Sequence, residues 1–565
     1  MAKTTRKSVK KKTGRSHKRT ATKKAARKTR KTAKKTKKKV ATKTAKKRAT
    51  PPVPGTAAPP KLMLPPARGV RVRMYRHGHG DCFLLAFAGS SGQPVYVLID
   101  CGYKPGSNED YGLAHISTVI NHIGASTNNH LDLVIVTHEH QDHVNGFGKA
   151  GSSDFDPIAM DEAWFAWTES PSDKLAIELR RRYGDQLLGL VAARNQLAAA
   201  DGDSVGYIDR LLQLELGVDE PQQFAAAAAL KKKDPEKSVN KQGMKLIKDK
   251  AGKDRTKYIL PHQEGLKIPG ADGVSVYALG PPHDADLLKD EDPQGSEAFP
   301  GHGISARASF FAAVNADGDA TADIQPFSQR FAIPLGEAFR HPQYGDFFRR
   351  HYGSGKTAVM KAALTDECEG NPEWRRIDKD WLFSAEELAL MLNKGINNTS
   401  LVLAFELVAS KKVLLFIGDA QRGNWKSWTT NKKEHDKIDL VRDLLARTVL
   451  YKVGHHGSHN ATLNGTDKSD YPCLAWMGQG KHAGEFTAMI TAVNKWALQV
   501  KPKPWVHPLP SIKAALHEKA EGRVFQIDTP TVDRPSGVSA EEWKDFTDRV
   551  DIDPGGLFFD YEVHE

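Results

Sequence analysis

The chain has 565 residues, a formal charge of +14 and 39% hydrophobic residues, enough to bury a large core and too few for a chain of membrane spans. The charge is uneven: residues 1–50 carry 24 Lys or Arg and no acid, leaving 58 basic against 68 acidic residues in the rest. Four cysteines (Cys82, Cys101, Cys368, Cys473) do not make a disulfide framework, and no apolar run reaches the ~18 residues of a membrane helix; both facts point to an intracellular, cytoplasmic setting.

Residues 1–50 are Lys, Arg, Thr and Ala in runs such as KKAARKTRKTAKKTKKK. Such a segment cannot bury enough apolar surface to offset its entropy, and its like charges repel. It reads as a disordered tail whose lysines, Lys10, Lys11, Lys12, Lys23, Lys24, Lys34, Lys35, Lys37, Lys38 and Lys39 among them, attract phosphate backbones without sequence preference. The tail has no aromatic residue, so base stacking plays no part in that binding. A Pro/Ala linker over 51–68 separates it from the body at 69–565.

The body opens on GVRVRMYR, CFLLAFAG and PVYVLID, three strand patterns joined by turns. The helical pattern LAHISTVINHIG then leads to a buried strand, LDLVIV. Residues of about 157–270 read as an insertion of helices, and a second insertion of about 290–395 is rich in Gly, Phe and Arg. Between them lies the strand GVSVYALGPP; afterwards come TSLVLAFELV, KKVLLFIGDA, the helix KIDLVRDLLAR, the strand TVLYKV, and a last strand–helix portion through YPCLAWMG and GRVFQID. Alternating sheets and helices of this kind predict an α/β fold with helices packed outside sheets.

The informative segment is DLVIVTHEHQDHVNG, where an apolar strand delivers His138, His140, Asp142 and His143 within six residues. Alternate residues of extended chain project to one side, so His138 and His140 can share one ion. Asp142 and His143, beyond the bend, address a second position. Imidazole nitrogen and carboxylate oxygen suit zinc, and also manganese or iron. The helical HExxH zinc motif is excluded, because the residue four after His138 is Asp142 and the flanks read as strand and turn.

His138-Glu-His140-Gln-Asp142-His143 after a strand resembles the hallmark HxHxDH of the metallo-β-lactamase superfamily. VYVLIDCG, LLFIGDA and KVGHHGS follow in that family's order. Taken together, GHGDCFLL, LIDCG, HEHQDH, NNTSLVLAF, IGDA and HHGS are similar to the hydrolase domain of competence-type DNA-internalisation proteins, without their membrane channel. The tail resembles linker-histone-like Lys/Ala/Thr repeats. The family resemblance implies an αββα metallo-β-lactamase sandwich binding two divalent metals, with Asp419 bridging them. It implies His455 as the last ligand, with His456 in reserve. Many family members add a further His to the first site; His283 leads here, ahead of His262 and His302, though each is read first as a surface or loop histidine.

The implied chemistry is hydrolysis by metal-activated hydroxide, with Asp142 also orienting the attacking water. Asp100 would hydrogen-bond a ligand histidine and fix its tautomer. Asp81 reads first as a turn residue between strands, and Ser458 and His459 stand beside the last ligand. Nucleic acid held by the tail makes phosphodiesters the expected substrate. A small ester, thioester or lactone is the alternative, favoured by the acidic body; an inactive hydrolase fold that only binds nucleic acid is the third reading. The short interval between Asp419 and His455 leaves no room for the inserted domain of ribonuclease J-like nucleases.

Overall fold

The computed structural model of the chain describes residues 62–148, 150–200, 205–234, 237–263, 265–300, 335–352, 392, 395–429, 437–500 and 504–565. The tail lysines, linker positions 51–61, Cys368, His302 and much of the interval 290–395 lie outside these residues.

The described strands, in chain order, are β1 (Gly69–Tyr75), β2 (Cys82–Ala88), β3 (Pro94–Cys101), β4 (His130–Val136), β5 (Ala159–Ala166), β6 (Thr256–Ile259) and β7 (Val274–Gly280). β8 (Val402–Leu407), β9 (Val413–Phe416), β10 (Thr448–Lys452), β11 (Thr487–Ile490), β12 (Val524–Gln526), β13 (Val550–Ile552) and β14 (Phe558–His564) follow. They form an eight-stranded sheet, β13-β14-β1-β2-β3-β4-β5-β6, and a six-stranded sheet, β12-β11-β10-β9-β8-β7. Both sheets are mixed: β3 to β6 run parallel while β13 to β3 pair antiparallel, and β9 to β12 run parallel while β7 to β9 pair antiparallel.

The alternation in GVRVRMY explains how the sheets stack. Val70, Val72 and Met74 of β1 point into the core shared with Phe405, Leu414, Phe416, Met489 and Phe525 of the second sheet. Tyr75 points the other way and packs with Ile116, Val119 and Ile123 of α1 (Ile116–Ser126) and Met244 and Ile247 of α6 (Val239–Ala251). The outer face of the second sheet is covered by Val441, Leu444 and Leu445 of the helix Ile438–Ala446 and by Ile512 and Leu516 of the helix Pro510–Lys519. The layers are therefore helix, sheet, sheet, helix, a mixed α/β architecture. β4, buried on both faces, reads as the near-continuous apolar run expected of a parallel strand.

Three sequence expectations need correction. The interval 157–270 is not an insertion throughout, because it supplies β5, β6 and α6 to the first sheet and its helical cover. What stands apart is α3 (Lys174–Ala200), α4 (Gly206–Leu216) and α5 (Phe224–Lys233), with their own core of Leu187, Leu190, Leu212 and Phe224. YPCLAWMG gives a 3-10 turn at Leu474–Trp476, and the strand of that region is β11. The C-terminal β14, unrecognised in the sequence, pairs with β1, where Arg73 donates twice to Asp560, at 2.7 Å each. No described helix is long and apolar enough to cross a membrane.

His122 of α1 makes stability sensitive to acid. Its Nδ1 lies 3.1 Å from the Tyr75 hydroxyl and its ring packs 5.2 Å from that of Phe558. Burial, reinforced by the Arg73 charge, pushes its pKa down to about 4. An unfolded chain takes up this proton at about pH 6.5. The neutral ring therefore favours the folded state fully above that pH, and the advantage is lost as pH falls towards about 4. The urea midpoint of the wild-type chain should drop across this window, and His122→Gln should drop less steeply.

Candidate metal centre

The loops at the carboxyl ends of β3, β4, β9, β10 and β11 meet at one edge of the two sheets, where open α/β sheets hold ligands. β4 ends at Val136, the chain stays extended to His140 (φ −65°, ψ 150°), and Gln141–Val144 closes one helical turn, α2. Extended backbone puts His138 and His140 on the same side; the turn swings Asp142 and His143 to the next. Leu401, leading into β8, donates its N–H to Thr137 O at 2.9 Å and ties the two sheets together at this point.

The glycines of the flanking motifs allow close approach. A Cβ on Gly102 would lie 2.5 Å from His143 N, and one on Gly80 only 2.3 Å from Gly102 O. IDCG and GHGD are thus the surfaces on which the HEHQDH turn rests.

Three groups of buried ligand atoms result among the described residues, and Asp419 belongs to two of them: His138, His140 and Asp419, and Asp142, His143, Asp419 and His456; the third is Asp81, Asp100 and His143. His138 Nε2 is 3.1 Å from His140 Nδ1, His143 Nε2 is 3.3 Å from Asp419 Oδ1, and His456 Nε2 is 3.0 Å from Asp142 Oδ2. Metal–nitrogen bonds of ~2.0–2.1 Å in tetrahedral geometry space neighbouring ligand atoms by about 3.3 Å. These three edges lie near that spacing, and the edges from His138 Nε2 and His456 Nε2 to Asp419 Oδ2 are longer, at 3.8 and 3.9 Å.

Each of these four imidazoles has its other nitrogen held by an oxygen. His138 Nδ1 lies 3.2 Å from both Thr137 Oγ1 and Ser400 Oγ, and His140 Nε2 lies 2.9 Å from Glu215 Oε1. His143 Nδ1 lies 2.9 Å from Asp100 Oδ2, and His456 Nδ1 2.9 Å from Thr491 Oγ1, which itself donates to Asp81 Oδ1 at 2.6 Å. Protons held on the outer nitrogens turn the inner lone pairs of His138, His140 and His456 towards the centre, while His143 would first have to release the second proton that its carboxylate neighbours favour. Asp100, at φ 54°, also accepts from the Thr137 N–H and hydroxyl, so this strand-end aspartate holds both the His143 ring and the start of the HEHQDH segment.

Of the two adjacent histidines, His456, held in reserve, joins a ligand group, and His455 joins none among the described residues. Both have left-handed backbone (φ 54° and 44°), costing of order 1–3 kcal/mol each. This turn sends His456 between Asp142 and Thr491. It leaves His455 Nε2 at 3.3 Å from Asn397 Nδ2 and 3.9 Å from Asp419 Oδ2. His283 is not brought to the centre; it sits on the Trp167 ring and faces Asp173 Oδ2 at 3.0 Å. His262, in the turn after β6, is absent from these groups among the described residues. Ser458 turns its N–H back to His455 O, and His459 Nε2 faces Asp292 at 3.4 Å.

Asp81, which the sequence reads first as a turn residue and second as a partner in the manner of Asp100, is buried here. Three further charged residues, Glu215, Lys104 and Lys452, carried no such expectation. Glu215 arrives from α4 and is also held by the Tyr183 hydroxyl. Lys104 pairs with Asp142 Oδ1 at 3.2 Å, and Lys452 pairs with Asp81 and donates to Gly418 O at 2.9 Å. Asp81 had a signal, in following GHG and opening an apolar strand; the other three had none.

The electrostatics suit a bound cation. Burial pushes the His138 pKa well down, and burial likewise takes His455 down to about 3, so both rings are neutral. Burial opposes ionisation of Asp142 and Asp419, but Lys104 with His456 and His143 outweighs it at Asp142, and His143, His455 and His456 outweigh it at Asp419, so both carboxyls are held well below their usual range. Burial also opposes charge on His143, yet Asp419, Asp81 and Asp100 overcome it and raise its pKa well above the ordinary value. His143 Nε2, Asp142 Oδ1 and Asp419 Oδ1 are buried atoms without a hydrogen bond of good geometry, although Asp142 Oδ1 faces the Lys104 ammonium at 3.2 Å and His143 Nε2 faces Asp419 Oδ1 at 3.3 Å. Ligand atoms of these types, at these spacings, fit a divalent metal.

Glu139, in the middle of HEHQDH, fastens the turn to α5 and α6. It takes the ammoniums of Lys231 and Lys241 at 2.8 Å each, and Lys241 also pairs with Glu169. All four are buried. Glu139→Gln leaves two buried ammoniums short of charge and should lower unfolding free energy by about 3–5 kcal/mol, read as a shift of the urea midpoint with unchanged m-value.

No protein-family model matches the chain, and no curated protein matches it.

Proposed function

We propose that the chain is a metal-dependent hydrolase of the metallo-β-lactamase superfamily, with an αββα sandwich, acting on phosphodiester bonds of nucleic acid that its basic tail retains. The observation carrying this reading is the shared Asp419: four oriented imidazoles and Asp142 divide into two ligand groups, and this carboxylate belongs to both. A divalent metal held there lowers the pKa of a water towards ~7 and stabilises charge developing on the attacked centre.

Charge balance favours two ions over one. Asp81, Asp100, Asp142, Asp419 and Glu215 are buried with only Lys104 and Lys452 as lasting cations, a deficit of three positive charges. One divalent ion leaves the site anionic, whereas two leave it slightly cationic, the sign that suits a phosphodiester. Zinc fits the nitrogen-rich donors best, with manganese or iron as alternatives. His138 and His140 would hold one ion, and Asp142, His143 and His456 the other. Asp142, bonded to His456, would also orient the water; Asp100 would hold His143 in register.

A second reading, hydrolysis of a small ester, thioester or lactone, draws on the net acidity of the chain beyond residue 50. Metal analysis with a substrate screen separates them. Purified protein should contain about two equivalents of metal and cleave DNA, RNA or an aryl phosphodiester; a chelator should abolish cleavage and added metal restore it. Cleavage of esters or lactones alone would select the second reading. Protein that binds no metal would leave an inactive fold with a nucleic-acid-binding tail.

A further inference from the structure

The loop after β3 turns a lysine inward. Lys104 is 6% exposed, and its backbone N–H donates to His79 O at 2.7 Å. Its ammonium lies 5.5 Å from the centre of the Trp505 ring, and Asp142 is its one ion-pair partner among the described residues. Lys452, the other buried ammonium of the centre, has Asp81, Asp419 and a backbone carbonyl around it.

Three imidazoles outside the two ligand groups stand on this side. The His507 ring lies 5.4 Å from His455, 5.6 Å from His79 and 5.8 Å from Trp505. His79, with 0% exposure, accepts the Val493 N–H on Nδ1 at 3.2 Å, so its proton is on Nε2. That Nε2 makes no hydrogen bond, and neither does His507 Nδ1 or His455 Nδ1. Buried donors without acceptors are costly unless something else satisfies them.

A divalent ion in the Asp142–His143–Asp419–His456 group would take up the charge of Asp142, the one carboxylate paired with Lys104. The ammonium would then need another anion, because a buried charge left uncompensated is strongly unfavourable. We propose that Lys104, with His79 and His507, forms a subsite for a non-bridging oxygen of the phosphoryl group under attack. This rests on the metal-hydrolase reading above and deepens it. A phosphodiester brings the negative charge that the ammonium lacks, whereas a neutral ester or lactone does not.

The test uses full-length protein loaded with zinc, its metal content measured, and inorganic phosphate as the calorimetric probe. Lys104→Met should weaken phosphate binding at least about tenfold at unchanged metal content, and Lys104→Arg, which keeps the charge, should restore most of it. Equal phosphate affinity in Lys104→Met and wild type overturns the subsite, as does a wild-type chain that takes metal and no phosphate. Loss of metal along with phosphate in Lys104→Met also overturns it, since Lys104 would then act through Asp142 alone. Phosphate binding that depends on Lys104 in a chain that takes no metal would keep the subsite and sink the hydrolase reading.

Discussion

Asp419→Ala should empty both metal positions at once and lower hydrolysis by about 10³-fold or more, because the metals carry several kcal/mol of transition-state stabilisation. Asp419 is the one carboxylate that belongs to both ligand groups. Its loss also removes the main charge that holds His143 protonated against burial, and one of the charges facing Lys452. His140→Ala, by contrast, should weaken the first position chiefly, since Asp142, His143 and His456 do not depend on it. Metal content by mass spectrometry distinguishes the two variants before any activity is measured. If Asp419→Ala keeps wild-type metal content, the shared-carboxylate arrangement is wrong and the proposed chemistry falls with it. Metal uptake should also weaken as pH is lowered, because His143 keeps its proton in the metal-free chain and must give it up to bind.

How far this centre could be read in advance depends on how its residues reach it. His138, His140, Asp142 and His143 were legible because they are local: one strand end and one turn fix their directions. Asp100 and Asp419 entered through the resemblance that VYVLIDCG and LLFIGDA carry, not through spacing. The choice between His455 and His456 was not legible, because two adjacent histidines have the same composition signal and only the left-handed turn separates them. Glu215 comes from α4, in a region whose helical pattern says nothing of the direction it faces. Lys104 and Lys452 look like ordinary surface lysines until the loops close over them. The sheet order had the same limit: β5 and β6 were hidden inside a helical stretch, and the β14–β1 pairing joins the two ends of the described fold, a contact that no local pattern encodes.

The second large effect belongs to the tail. Deleting residues 1–60 removes 24 Lys and Arg of residues 1–50 without touching a metal ligand. Each phosphate neutralised on duplex DNA releases counterions and contributes about −0.9 to the slope of log affinity against log salt. A tail engaging about eight phosphates would lose ~10³–10⁵ in affinity between roughly 50 and 200 mM salt. The truncated protein should therefore bind nucleic acid far more weakly at low salt and show a nearly flat salt dependence. Its kcat on a small aryl phosphodiester should match that of the full chain, since every residue proposed to meet the reacting group lies beyond the tail. KM on long DNA or RNA should rise steeply on truncation, and the rise should shrink as salt is added to the full-length enzyme. Tail and centre are separable in this way only if the tail retains substrate and does nothing else. A truncated protein with a lower kcat on the small substrate would mean that the tail acts at the centre itself.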